Sequence, residues 1–155
     1  MNTIAKLVAA AAVAFPSLAS AEMLVATNPD TLVEFFVEEG ADVESTVDNA
    51  GDPKLKIDYY GSDFVLYFYD CDDNVDCKSI QFFSGYKTEG SVRKSKVNEW
   101  NAENRFARAY ISDSGSARIE HDLYLGNTGI DADDFAALVA KWTTAEGEFE
   151  EFIDW

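Results

Sequence analysis

Apolar residues recur along this chain in two rhythms, and the change from one to the other marks its elements. Leu32, Phe35 and Phe36 fall at helical spacing just after Asn28-Pro29-Asp30. That start predicts a helix with the Asn28 side chain as its cap and Pro29 in its first turn. Gly40 is placed to end it. Val43 to Val47 reads as a short strand, and Asn49-Ala50-Gly51-Asp52-Pro53 as a turn. From Lys54 the period falls to two, with Leu55, Ile57 and Tyr59 on one face and Lys54, Lys56 and Asp58 on the other. After the Gly61-Ser62 turn, Phe64 to Tyr69 is apolar on both faces, which predicts a central strand covered at least in part on both sides. Ser79 to Tyr86 follows as a fourth strand, completing an antiparallel meander.

The second half is more polar at first. Gly90 to Asn104 ends in a helix whose apolar contribution is mainly Val97 and Trp100. Phe106 to Ile111 and Ala117 to Leu125 read as two more strands joined by the turn Ser112-Asp113-Ser114-Gly115. The closing helix has the strongest start signal: Asp131 as cap, Asp134 three residues on, and Ile130 placed to staple against Phe135. Phe135, Leu138, Val139, Trp142, Phe149 and Phe152 then recur at helical spacing, with Gly147 costing about 1 kcal/mol relative to alanine. No repeat or linker interrupts the pattern. The expectation is one α+β domain over residues 22–155, in the order α-ββββ-α-ββ-α.

The first 21 residues follow neither rhythm. Lys6 precedes an apolar run, Leu7 to Phe15, then Pro16 and the small residues Ala19-Ser20-Ala21. This is the layout of a secretory signal cleaved after Ala21. The run falls short of the about 20 apolar residues that span a bilayer. The expected location is the bacterial periplasm or the medium, with no membrane insertion after cleavage. Cys71 and Cys77 share one acidic loop, and in an oxidising compartment they are expected to form a disulfide. Closing so short a loop stabilises by roughly 2 kcal/mol in the chain-entropy picture.

The formal net charge is −17 and 14% of residues are aromatic. The aromatics exclude disorder as the main state, and the charge disfavours nucleic acid and anionic lipid as partners. Asp70-x-Asp72-x-Asn74-x-Asp76 spaces oxygen ligands as in the first half of a calcium loop, but Val75 stands where the turn glycine belongs and Gln81 where the bidentate glutamate belongs. His121, the single histidine, alternates with Ala117, Ile119, Leu123 and Leu125, so it is expected on the core face. Glu120 and Asp122 share the opposite face, an acid pair that only its surroundings could make catalytic. There is no nucleophile elbow, phosphate-binding glycine loop or histidine-rich metal motif. No catalytic residue, metal site or cofactor is predicted. Residues 87–108 hold Lys87, Arg93, Lys94, Lys96, Arg105 and Arg108 against Glu89, Glu99 and Glu103, a positive island in an acidic chain. Trp100, Arg105 and Arg108 are the candidate partner contacts, with Trp100 read equally as the core anchor of its helix.

Val97-Asn98-Glu99-Trp100-Asn101 followed by Arg105-Phe106-Ala107-Arg108-Ala109-Tyr110 resembles the central signature of the YbjN-like family of bacterial sensory transduction regulators. Tyr67-Phe68-Tyr69-x-Cys71 with Cys77, Ser79-Ile80-Gln81-Phe82 and Gly147-Glu148-Phe149-x-x-Phe152-Ile153 look like its exported alphaproteobacterial members. The resemblance implies a curved antiparallel sheet packed by helices, similar to type III secretion chaperones. Those chaperones are dimeric and bind client segments without catalysis. It carries over no catalytic residue. The expected function is therefore a non-enzymatic exported binding or regulatory domain, taking an unidentified protein or peptide and open to forming a homodimer. The alternative is a small metal- or ligand-binding periplasmic protein using the acidic loop Asp70 to Asp76.

Overall fold

The computed structural model describes residues 23–155. The expected signal at 1–21, and Glu22 after it, lie outside the described residues. The elements are β1 (Met23–Leu24), α1 (Asp30–Glu38), β2 (Asp42–Val47), β3 (Pro53–Tyr59), β4 (Ser62–Tyr69), β5 (Ser79–Tyr86), α2 (Lys94–Glu103), β6 (Arg108–Ile111), β7 (Ala117–Tyr124), β8 (Ile130–Asp131) and α3 (Ala132–Ile153). β2 to β7 form one antiparallel sheet in the order β2-β3-β4-β5-β7-β6. The α-ββββ-α-ββ-α order therefore holds for the main sheet and its three helices. The small ribbon β1-β8 was not expected, because two-residue strands are too short to show a period.

Strands β2 to β5 form the expected meander. The chain then crosses through α2, lays β6 at the far edge and returns as β7 between β5 and β6. Strand β4 faces the helices through Phe64, Leu66 and Phe68, all buried. Among the described residues, its other face is covered by side chains of the sheet itself: Val65 and Tyr67 are half-buried, Tyr67 meeting the Phe83 ring edge-on at 5.5 Å. The apolar run marked a central strand, and its second face is held by aromatic packing within the sheet.

On the helix side the core is aromatic. Phe36 of α1, Phe64 of β4, Phe82 of β5, and Phe135 and Trp142 of α3 interlock with ring centroids 5.5 to 6.0 Å apart. Such spacings favour edge-on and tilted pairs over direct overlap. A second group docks α2: Trp100 lies 5.1 Å from Phe149 and 5.5 Å from Phe152. Val97 and Trp100 are the buried residues of α2, so this polar helix is held through one face.

Helix ends follow local chemistry, with one correction. Gly40 ends α1 at φ +87°, while its N–H donates to Val37 O and that of Ala41 to Phe36 O, the paired bonds of a Schellman close. At the other end Asn28 does not cap through its side chain. Pro29 occupies the cap position in helical geometry. Thr31 does the joining instead: its hydroxyl accepts from Val25 N–H at 3.1 Å and contacts Asn28 O at 2.9 Å. Asp131 caps α3 as expected, accepting from Asp133 N–H at 2.9 Å. Gly147 is exposed and α3 runs through it unbroken.

Candidate functional site

The segment from α2 to β6 gathers most of the chemistry. Asn104 ends α2, its side-chain amide donating to Trp100 O at 3.1 Å. Asn101, one turn earlier, reaches β6: its Nδ2–H donates to Ala109 O at 2.9 Å and its Oδ1 accepts from Ala109 N–H at 2.8 Å. These bonds fix how α2 sits against the sheet edge. The strand expected from Phe106 begins only at Arg108, because Arg105 to Ala107 form the loop that turns from helix to sheet.

That loop forms one wall of a cleft of about 740 Å³ whose other wall is α3. Trp100, Arg105, Phe106 and His121 line it from one side, with Lys141, Thr144 and Glu148 from the other. His121 is a correction. The alternation that put it on the helix side is right, but it is only half-buried, because it opens onto the cleft beside α3. Its ring stacks on Phe106 with centroids 4.2 Å apart, and its Nδ1 lies 2.6 Å from Phe106 O. A carbonyl only accepts, so Nδ1–H is the donor of this bond.

Of the three candidate contact residues, the structure brings two together in this cleft. Trp100 is buried and lines the cleft, so it is both core anchor and part of the wall; Arg105 is exposed at the rim. Arg108 does not line this cleft but shares a neighbouring cavity of about 400 Å³ with Arg105, Glu120 and His121. Strand alternation turns it to the helix-free face, where it pairs with the buried carboxylate of Glu120. Asp122 takes a different partner, accepting from Gln81 Nε2 at 2.9 Å. The two acids of β7 are thus used separately.

The acidic loop is tied down by its own bonds. Cys71 and Cys77 form the expected disulfide at the tip of the β4–β5 hairpin. Asp70 accepts from Ser79 Oγ at 2.6 Å, and Asn74 Nδ2 reaches Asp52 Oδ1 at 2.8 Å and Ala50 O at 3.2 Å. Among the described residues, no three side chains of His, Cys, Asp or Glu gather as a metal site.

The sequence reading missed Glu146. It lies on the buried face of α3, 2% exposed, and accepts from the hydroxyls of Ser62 and Ser84. Burial pushes its carboxyl above the usual range, the two hydroxyls hold it down in part, and Glu150 and Asp63 add to the rise. Tyr86 nearby is raised too, by burial first and then by Glu146 and Glu150. The signal was present: Glu146 stands one turn after Trp142 on the apolar stripe.

No curated protein matches this sequence. Among solved structures the fold is similar to the crystal structure of YbjN, "a putative transcription regulator from E. coli", with a TM-score of 0.58 at 16% identity, covering 84% of this chain and 91% of that one. A family model described as "Putative bacterial sensory transduction regulator" matches residues 28–155. That span holds the whole main sheet, its three helices and the cleft, and by that match the chain belongs to the YbjN family.

Proposed function

We propose that this domain is a non-enzymatic exported regulator that binds a segment of a partner protein in the cleft between the 104–107 loop and α3. One observation carries the reading: an open cleft of about 740 Å³ joins an aromatic wall to a charged rim that carries Arg105. The Phe106 and Trp100 rings offer apolar surface, while Arg105 and Lys141 offer positive charge beside Glu103 and Glu148. A segment carrying a large apolar side chain beside a carboxylate fits that chemistry. Buried aromatic and arginine contacts commonly dominate such interfaces. Family membership supports a regulatory role. Export is supported by the signal-like leader and by the Cys71–Cys77 disulfide, which suits an oxidising compartment.

The test is site-specific photo-crosslinking in the cell envelope, with the probe at Thr144 in the cleft and a control probe at Asp113 in the β6–β7 turn. A discrete protein adduct is expected at Thr144, absent at Asp113 and lost with Arg105→Glu. No adduct, or the same adduct from both positions, would sink the proposal.

A further inference from the structure

The main sheet has two edges of different character. At β6 the side chain of Asn101 occupies the backbone groups of Ala109. At β2 the edge is open. Asp48 N–H donates to Asp52 O at 2.9 Å, and the unbroken register continues through Val47 with Pro53, Ser45 with Leu55 and Val43 with Ile57. Bonded and non-bonded pairs alternate in an antiparallel ladder. Thr46, Glu44 and Asp42 therefore bond to β3, and Pro53, which has no N–H, falls in a non-bonded pair. The N–H and C=O groups of Val43, Ser45 and Val47 point away from the sheet. Among the described residues, no group outside the ladder bonds to them. The strand also lacks the proline, lysine or bulge that usually blunts an exposed edge.

We infer that β2 pairs antiparallel with β2 of a second copy of this chain, about a two-fold axis at Ser45, joining two sheets into one. Self-pairing is favoured by the strand's own register. Keeping the two helix-covered faces on one side restricts the pairing to residues that point the same way. Centred on Ser45, all three outward residues find partners: Ser45 meets its own copy, and Val43 meets Val47, a residue 57% exposed in the single chain. Glu44 then lies across from Thr46, so the acid in the middle of the strand faces no acid. Centring on Glu44 would set that carboxylate against itself. Glu44 is moreover already bonded to Lys56 at 3.0 Å. At the ends Asp42 lies across from Asp48, whose Oδ1 is turned inward to accept three backbone N–H groups at 2.8 to 3.0 Å. This pairing is independent of the cleft and of what the cleft binds.

Sedimentation velocity of the purified protein, from about 1 to about 100 µM, tests it. A concentration-dependent dimer is expected, tightening with added salt as the −17 charge on each copy is screened. Thr46→Lys sets a cation across from Glu44 twice per dimer and is expected to tighten it about tenfold; Thr46→Glu is expected to loosen it by as much. Within one chain Thr46 lies across from Lys54, so the same substitutions should rank oppositely in melting temperature, which separates pairing from folding. Ser45→Pro removes only an outward N–H and is expected to give a monomer. If that variant fails to fold, the Thr46 pair decides. A monomer at every concentration, or a dimer indifferent to both Thr46 substitutions, overturns the inference.

Discussion

Asn101 stands in for a β-strand against Ala109: one side-chain amide donates to the carbonyl and accepts from the N–H of the same residue, at 2.9 and 2.8 Å. The arrangement satisfies an edge that would otherwise invite another chain, and it ties α2 to β6. An ordinary hydrogen bond contributes about 1 kcal/mol net, so Asn101→Ala should cost about 2 kcal/mol in urea unfolding. Asn101→Asp keeps the acceptor and loses the donor, leaving a carboxylate facing the Ala109 carbonyl, and should cost at least as much. Amide exchange at Ala109 should accelerate in the alanine variant well beyond exchange at Ile119, its partner on β7.

Glu146 makes stability depend on pH in a direction opposite to that of a paired surface acid. Burial raises its folded-state value above that of the unfolded chain, so the folded protein keeps the proton to higher pH. Its contribution is complete below the ordinary glutamate range and is lost as pH rises through the raised value. Glu146→Gln should therefore raise the melting midpoint at pH 7.5 by about 3 °C, corresponding to about 1 kcal/mol, with the gain shrinking towards pH 4.5. Melting both proteins across that range checks it. A gain independent of pH would show that the carboxyl is not the group responsible.

The disulfide closes a loop with a sequence separation of 6 and should stabilise by about 2 kcal/mol through the unfolded chain. Cys71→Ser with Cys77→Ser should lower the unfolding free energy by that amount. The bonds of Asp70 to Ser79 and of Asn74 to Asp52 remain in that variant, so the hairpin should keep its strand content by circular dichroism.

Strong local signals made most of the fold legible. The two-residue alternation of Leu55 and Ile57, the glycine after α1 and the aspartate cap of α3 each act within a few residues, and each is found where expected. The YbjN-like signature gains a physical reading from the structure. Val97 and Trp100 bury α2, Asn101 seals β6, and Phe106 stacks on the single histidine. What stayed hidden depends on distant packing. That Arg108 lies outside the Trp100 cleft depends on the point at which loop becomes strand, and periodicity places such boundaries poorly. The insertion of β7 between β5 and β6 and the serine cage around Glu146 are long-range relations, with partners 62 and 84 residues away in the second case.

Gly129 immediately precedes β8 in the β1–β8 ribbon. It sits at φ +77°, and a Cβ added there would run into the backbone carbonyl of Leu24 and the side chain of Val25. The neighbour is backbone held in register by Leu24 against Ile130, so it has little freedom to yield. Leu24 itself is 1% exposed and belongs to the core. Gly129→Ala combines a left-handed backbone penalty with a clash at a buried strand and should cost more than about 2 kcal/mol. Gly90→Ala shares the positive φ, +81°, but meets nothing within 4 Å, so it isolates the backbone term. Urea unfolding of the two variants should rank Gly129→Ala well below Gly90→Ala. Equal losses would mean that the close approach of Leu24 contributes nothing, and that the ribbon gives way without affecting the core.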